Sequence, residues 1–378
     1  MLLRKILAGF GAGLVGSSIV LWATGNGFLL KAVAMNLRKG AFTPSIDDVD
    51  RFPFHPVYND IPERWEKAET FNSVALPETV EEELKKTRAS VLIVVKDGKI
   101  HYEKYWRNHH AQSLMNSFSM AKGILSMLVG ACIDDGSVKS EEQLFSDFYP
   151  RYKTMEFGKE LTLKHLMTMQ AGLDWQEEYR HPFAPNSRQY FLDDMGEQVF
   201  DREFVQKPGE KYDYQSAAPQ LLGFAVRRAC GKTLAELLTE KIWSKIGMEC
   251  DAKWSTDEDG MEKTFCCIHA TARDFAKIGQ LLLNRGKWKG ETIVSEDFID
   301  RMLQPTEENK AFGYTVWAND DAKVKYRFLY GFLGQFIIII PEKNMVIVKM
   351  GHYNRLEVDD LLRPLQVQTF AEELSAIF

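Results

Sequence analysis

The 378-residue sequence predicts an α/β chain of the α+β type, with one antiparallel sheet assembled from both chain ends around an inserted, mainly helical region. Three patterns carry this expectation. Val91–Val95 and Ile100–Trp106 are β-rich runs joined by Asp97-Gly98, a pair suited to a type I′ hairpin turn. Near the other end, Phe312–Trp317, Tyr326–Tyr330, Gln335–Ile340 and Met345–Met350 form a second β-rich group punctuated by turn residues. Between the two groups, from about 119 to 300, helical and loop patterns dominate.

Taken in order, the chain opens with an apolar segment. No residue from Ile6 to Leu30 is charged, a run long enough to cross the roughly 30 Å of bilayer hydrocarbon. Arg4 and Lys5 precede it, as in a signal peptide or signal anchor, and Ala32-Val33-Ala34 has the form of a cleavage site. Residues 1–30 are therefore expected to be a signal anchor or signal peptide, with the catalytic domain membrane-anchored or exported, outside the cytoplasm and periplasmic if the source is bacterial. Residues 31–76 carry Pro44, Pro53, Pro56 and Pro62 and read as an irregular linker wrapping the domain. The folded body spans 77–378 and begins with a short helix from Pro77 to Lys86, then the hairpin. Ala121–Ile133 is apolar or small at almost every position, so this helix is expected to be buried all round, with Gly136 as its stop. Leu161–Met169, Gln220–Ala229 and Thr271–Leu283 are further helices, and Glu357–Phe378 closes the chain with a helical pattern.

Composition bounds the function. With 45% hydrophobic residues the chain can bury a large core, and a net charge of −6 gives no general attraction for nucleic acid. Five cysteines form no disulfide framework, and the adjacent Cys266 and Cys267 are expected to be unbridged. No Cys or His spacing matches a zinc site; His109-His110 reads as a solvated loop pair, and no metal or cofactor is expected.

The pattern that carries chemistry is Ser119-Met120-Ala121-Lys122, at the head of the buried helix. A serine hydroxyl is a poor nucleophile at neutral pH and needs a neighbouring base. Helical residues three apart share a face, which places Lys122 beside Ser119. Unpaired N–H groups in the first turn of the helix supply donors for an oxyanion. The same residues also describe a helix-capping serine followed by a solvated lysine, so the pattern needs its context.

That context resembles the serine β-lactamase and penicillin-binding-protein superfamily, and within it the class C-like serine hydrolases that include the 6-aminohexanoate-dimer hydrolases. The resemblance spans about residues 88–355 and runs in order through several motifs. Ser119-x-x-Lys122 follows the hairpin, and Tyr214-Gln215-Ser216 follows Lys207-Pro208-Gly209 and precedes Leu221-Leu222-Gly223. Leu163, His165–Met169, Ala171–Trp175, Asp251–Trp254, Thr271–Asp274 and Phe312–Tyr314 continue the match. It implies a β-lactamase/transpeptidase-like fold and a serine hydrolase acting on a small ester or amide through an acyl-enzyme on Ser119. Lys122 and Tyr214 are the implied acid/base pair, with Tyr214 a phenolate whose pKa is lowered by Lys122. Ser216 is implied as a partner of Lys122 or of the substrate, and Trp175, Glu177 and Tyr179 as a rim of the pocket.

One family element is missing. The Lys-Thr-Gly segment of β-lactamases and penicillin-binding proteins has no counterpart here, and Tyr330-Gly331-Phe332-Leu333-Gly334-Gln335 stands in its place. It looks like the Gly-x-x-Gly-Gln segment of the nylon-oligomer group, with Gly331 allowing close approach and the Phe332 N–H as second oxyanion donor, an ungapped reading shifting that donor toward Leu329. Arg327 or Lys325 is left to supply the missing cation. Penicillin-binding, D-alanyl peptidase or β-lactamase activity is the alternative within enzymes. A catalytically silent binding protein of the same fold is the alternative outside them.

Overall fold

The computed structural model describes residues 20–40, 43–179, 181–353 and 356–378. The expected anchor therefore falls largely outside the described residues, and among those no helix is long and apolar enough to cross a membrane.

The first described element departs from expectation. Phe28–Lys39 is a helix (α1) closed by Gly40 in the left-handed conformation, where irregular chain was expected from residue 31. No proline occurs before Pro44, so nothing in this stretch breaks the helix. Downstream, the prolines do enforce irregularity except at the short strand Phe54–Val57 (β1).

The hairpin and the late strands meet as expected. Ala89–Lys96 (β2) pairs with Lys99–Tyr105 (β3), following the helix Glu78–Lys86 (α2). Asp97 and Gly98 both adopt positive φ at the turn, as a type I′ hairpin requires. Four late strands complete an antiparallel six-stranded sheet, Trp317–Asn319 (β7), Tyr326–Gly331 (β8), Gln335–Ile340 (β9) and Met345–Gly351 (β10), in the order β3-β2-β10-β9-β8-β7. Every residue of β9 and β10 is buried, so both sheet faces are covered. The helix Ala272–Leu283 (α7) lies on one face, with Gly279 against Val346 and Ile337. The closing helix Leu365–Ile377 (α9) packs against α2 and the sheet; Pro364 delays its start beyond the expected residue 357. The strand expected over 312–317 is instead a turn leading into β7, because Thr315 takes a positive φ and its Oγ1 donates to the Lys122 carbonyl at 3.0 Å.

A second sheet, in the order β1-β5-β6-β4, positions the nucleophile segment. Its members are β1, Met115–Asn116 (β4), Ala252–Ser255 (β5) and Ile268–Ala270 (β6). β4 pairs with β6 and ends three residues before Ser119. The following helix Met120–Asp134 (α3) is buried continuously from Met120 to Cys132, as its all-apolar sequence requires. Gly123 on this helix sits against Leu329 of β8 so closely that a Cβ would come within 2.3 Å of a Leu329 methyl.

Arg273 of α7 ties the layers together. Its Nε and Nη2 donate to the two Glu103 carboxylate oxygens on β3 at 2.6 and 2.7 Å, and Nη1 donates to Glu249 at 3.1 Å. With Glu103 nearly inaccessible, removing the guanidinium strands a buried carboxylate, which costs about 3–5 kcal/mol. Arg273→Met is expected to lose that much stability in urea denaturation; a loss under about 1 kcal/mol would contradict the role assigned to this fork.

Candidate active site

Ser119 lies at the N-cap of α3, after a deliberately shaped lead-in. The Ser117 N–H donates to Ile268 O at 2.8 Å, the Ser117 hydroxyl accepts from Ile268 N–H at 3.1 Å, and Phe118 then adopts a φ of 45°. A positive φ at a phenylalanine is uncommon and is held here by the flanking β4–β6 pairing. The chain thus turns sharply, and Ser119 emerges half-exposed from an otherwise buried segment.

One helical turn on, the Lys122 amine reaches back to Ser119 Oγ at 2.7 Å and donates to the Phe265 carbonyl at 2.8 Å. Lys122 is 2% exposed. Burial among the apolar residues of α3 pushes its pKa down to about 8, while the negative charge of Glu177 partly opposes the fall. At pH 7 roughly one Lys122 in ten is therefore uncharged, and about half at pH 8, with a lone pair available to Ser119.

Tyr214 stands by the same pair, its ring centroid 5.2 Å from the Lys122 amine. Its phenol is held well above the ordinary tyrosine value, first by burial and further by Glu177 and Tyr330, against a lowering hydrogen bond with Ser119. This corrects the expected phenolate. Desolvation outweighs every lowering influence on the phenol, so Tyr214 carries its proton.

Glu177 organises the opposite side. Its carboxylate accepts from Ser216 N–H at 3.0 Å, Ser216 Oγ at 2.7 Å, Trp175 Nε1 at 2.7 Å and Tyr179 Oη at 2.6 Å. Ser216, at the start of the helix Ala217–Cys230 (α6), therefore gives its proton to Glu177 and not to Lys122. Trp175 does not rim the cavity: it stands behind Glu177 and anchors it, while Glu177 and Tyr179 do line the opening.

The Gly331 and Phe332 segment comes in from the end of β8. A Cβ on Gly331 would meet the Ser117 carbonyl at 2.2 Å, so only glycine permits this approach to the nucleophile segment. The Phe332 ring then packs edge-on against Phe118 at 5.6 Å and stacks on Tyr179 at 5.3 Å. Among the described residues, neither the Ser119 nor the Phe332 backbone N–H is engaged by another protein group. Leu329 is committed to the sheet, paired with Ile337, and its side chain fills the space beside Gly123.

Two partners escaped the sequence. Phe265 acts through its carbonyl, which no residue-type pattern reports. Its neighbours Cys266 and Cys267 are joined by a disulfide, contrary to expectation. A turn from Lys263 to Cys266 and a positive φ at Cys267 bring the two sulfurs together, and Cys266 lines the cavity. His165, His269 and Asp274 are structural. His165 caps its own helix, His269 bonds Ser255 Oγ at 3.0 Å, and Asp274 accepts from Thr271 and the Glu249 N–H.

Ser119, Ser216 and Glu177 open onto a cavity of about 390 Å³. One wall is α1, through Phe28, Leu29, Ala32 and Val33; the other is aromatic, through Phe118, Phe265 and Phe332. Among the described residues no lysine or arginine lines it. Arg327 is not its cation, since it points the other way, to Asp320 at 2.7 Å and Leu303 O at 2.6 Å, and Lys325 does not line the cavity either.

The Beta-lactamase family model matches residues 77–370. The 6-aminohexanoate-dimer hydrolase of Paenarthrobacter ureafaciens is 24% identical over 298 residues, covering 72% of this chain and 75% of the relative. A Bacillus anthracis structure provisionally described as a 6-aminohexanoate-dimer hydrolase superposes with a TM-score of 0.72 at 23% identity, over 88% of this chain and 92% of the other. A family VIII carboxylesterase superposes with a TM-score of 0.61 at 16% identity, over 82% and 98%.

Because Glu177 holds the Lys122 pKa up, Glu177→Gln is expected to move the ascending limb of the pH profile of ester turnover below the wild-type inflection near pH 8. An inflection that stays put or rises would show that Glu177 does not act on Lys122.

Proposed function

The chain belongs to the Beta-lactamase family, and from that premise we propose that it hydrolyses a small ester or amide through an acyl-enzyme on Ser119. The observation that carries this reading is the 2.7 Å contact between Ser119 Oγ and a buried lysine whose pKa is pushed down to about 8. Uncharged Lys122 takes the Ser119 proton as Oγ attacks the substrate carbonyl. Charge develops on the carbonyl oxygen, and the N–H groups of Ser119 and Phe332 are the donors for it. Collapse of the adduct expels the leaving group, protonated by Tyr214, and the proton held on Lys122 restores the phenol. Water then enters, gives a proton to Lys122 and cleaves the acyl-enzyme, returning Ser119 to its hydroxyl form.

The cavity favours an uncharged substrate with an apolar group. Its walls are aliphatic and aromatic, its described charged group is the Glu177 carboxylate, and no described cation is placed to receive a substrate carboxylate. These features weigh against penicillins and D-alanyl peptides. Ser119→Ala is expected to abolish turnover of p-nitrophenyl esters, and Lys122→Met to reduce it by about 10²–10⁴-fold. In a panel of esters, short amides and a cephalosporin, neutral esters should be preferred. Full activity of Ser119→Ala would sink the mechanism, and preferential cleavage of the cephalosporin would overturn the substrate assignment.

A further inference from the structure

Away from the catalytic cavity, three side chains from distant parts of the chain converge. His109 Nε2 lies 2.8 Å from Asp47 Oδ1, and His352 Nε2 lies 4.0 Å from Asp47 Oδ2. The imidazole rings are 5.9 Å apart, and the nearest ligand atoms of all three residues fall within 4.8 Å of one another. We propose that Asp47, His109 and His352 form a binding site for a divalent transition-metal ion of the zinc class.

Their surroundings have the form of a metal site. His109 Nδ1 is 3.1 Å from the Trp106 carbonyl; a carbonyl only accepts, so Nδ1 carries a proton, and Nε2, which donates to Asp47 at 2.8 Å, is the nitrogen that would release its proton to an ion. Ser45 Oγ donates to Asp47 Oδ2 at 3.2 Å, orienting the carboxylate. Arg107 and Asn108, both with positive φ, turn the loop after β3 to bring His109 inward, and His352 follows Gly351 at the end of β10. Two imidazoles and one carboxylate leave a coordination position for water, a donor set that suits zinc. Calcium and magnesium prefer oxygen ligands, so it is the two imidazoles that favour zinc; Arg88 and Arg107, near His352, oppose any cation alike.

The ion would act as a clip. Asp47 belongs to the segment in which Ile46 O accepts from Asn116 N–H of β4 at 2.8 Å and Pro44 lines the catalytic cavity. Coordination to His109 and His352 fastens this segment to the hairpin and the central sheet, without touching Ser119.

The test is zinc uptake by the full-length protein after treatment with chelator, read by isothermal titration and elemental analysis, with thermal unfolding alongside. Wild type and His110→Ala are expected to take up one zinc per chain and to unfold at a higher temperature with it. His352→Ala is expected to bind at least about tenfold more weakly. Asp47→Asn supplies the same readout should His352→Ala fail to fold. No uptake by wild type overturns the site. So does uptake that survives both substitutions, for instance at Cys132 and Cys230, whose sulfurs lie 3.6 Å apart.

Discussion

Desolvation of one lysine is the constraint on which the site depends. A lysine in water is a cation with no use for a serine proton; Lys122 differs because α3 is buried on every side and carries the amine inward with it. Burial alone does not make a base, however. Lys263 and Lys349 are also fully buried, each with a pKa pushed down to about 7, and each donates to a carbonyl, that of Tyr190 at 3.1 Å and of Gly334 at 3.0 Å. Neither is given a serine hydroxyl by the bonds it makes. What distinguishes Lys122 is the shared helical face with Ser119, together with a carbonyl partner that adds no full charge.

Much of the remaining architecture serves to keep that pair in place. The small sheet fixes the chain just before Ser119, and the positive φ at Phe118 turns the hydroxyl toward the cavity. Thr315 donates to the Lys122 carbonyl and shares a 2.7 Å hydrogen bond with Ser126 one turn further along α3. From the other side, Gly331 lets β8 close on the Ser117 carbonyl, which sets the Phe332 N–H near the nucleophile segment. Glu177 acts at longer range. Its four hydrogen bonds hold it in place, where it opposes the desolvation of Lys122 and supports the neutral phenol of Tyr214.

The parts legible in the sequence were those written in periodicity or in side-chain identity. The two-ended sheet followed from the Asp97-Gly98 hairpin and the four late β-rich runs, and the burial of α3 from its unbroken apolar pattern. Ser119 and Lys122 were readable because their spacing is a helical spacing. Illegible were the groups whose role depends on tertiary placement. The Phe265 carbonyl has no sequence signature, the Cys266–Cys267 bridge needs a left-handed turn at Cys267, and Asp47 meets His109 across 62 residues. Tyr214 shows the limit most plainly: its identity was evident, but its protonation depends on burial and on Glu177, which only the fold brings beside it.

The central claim is that Lys122 loses its proton well below the ordinary lysine range, near pH 8. Titration of lysine side chains labelled with ¹³C at Cε, with Lys122→Met to assign the resonance, measures this directly. The account predicts a midpoint for Lys122 near pH 8. A midpoint at the ordinary lysine value of 10.5 would leave the amine charged and unable to accept the Ser119 proton, and would contradict it.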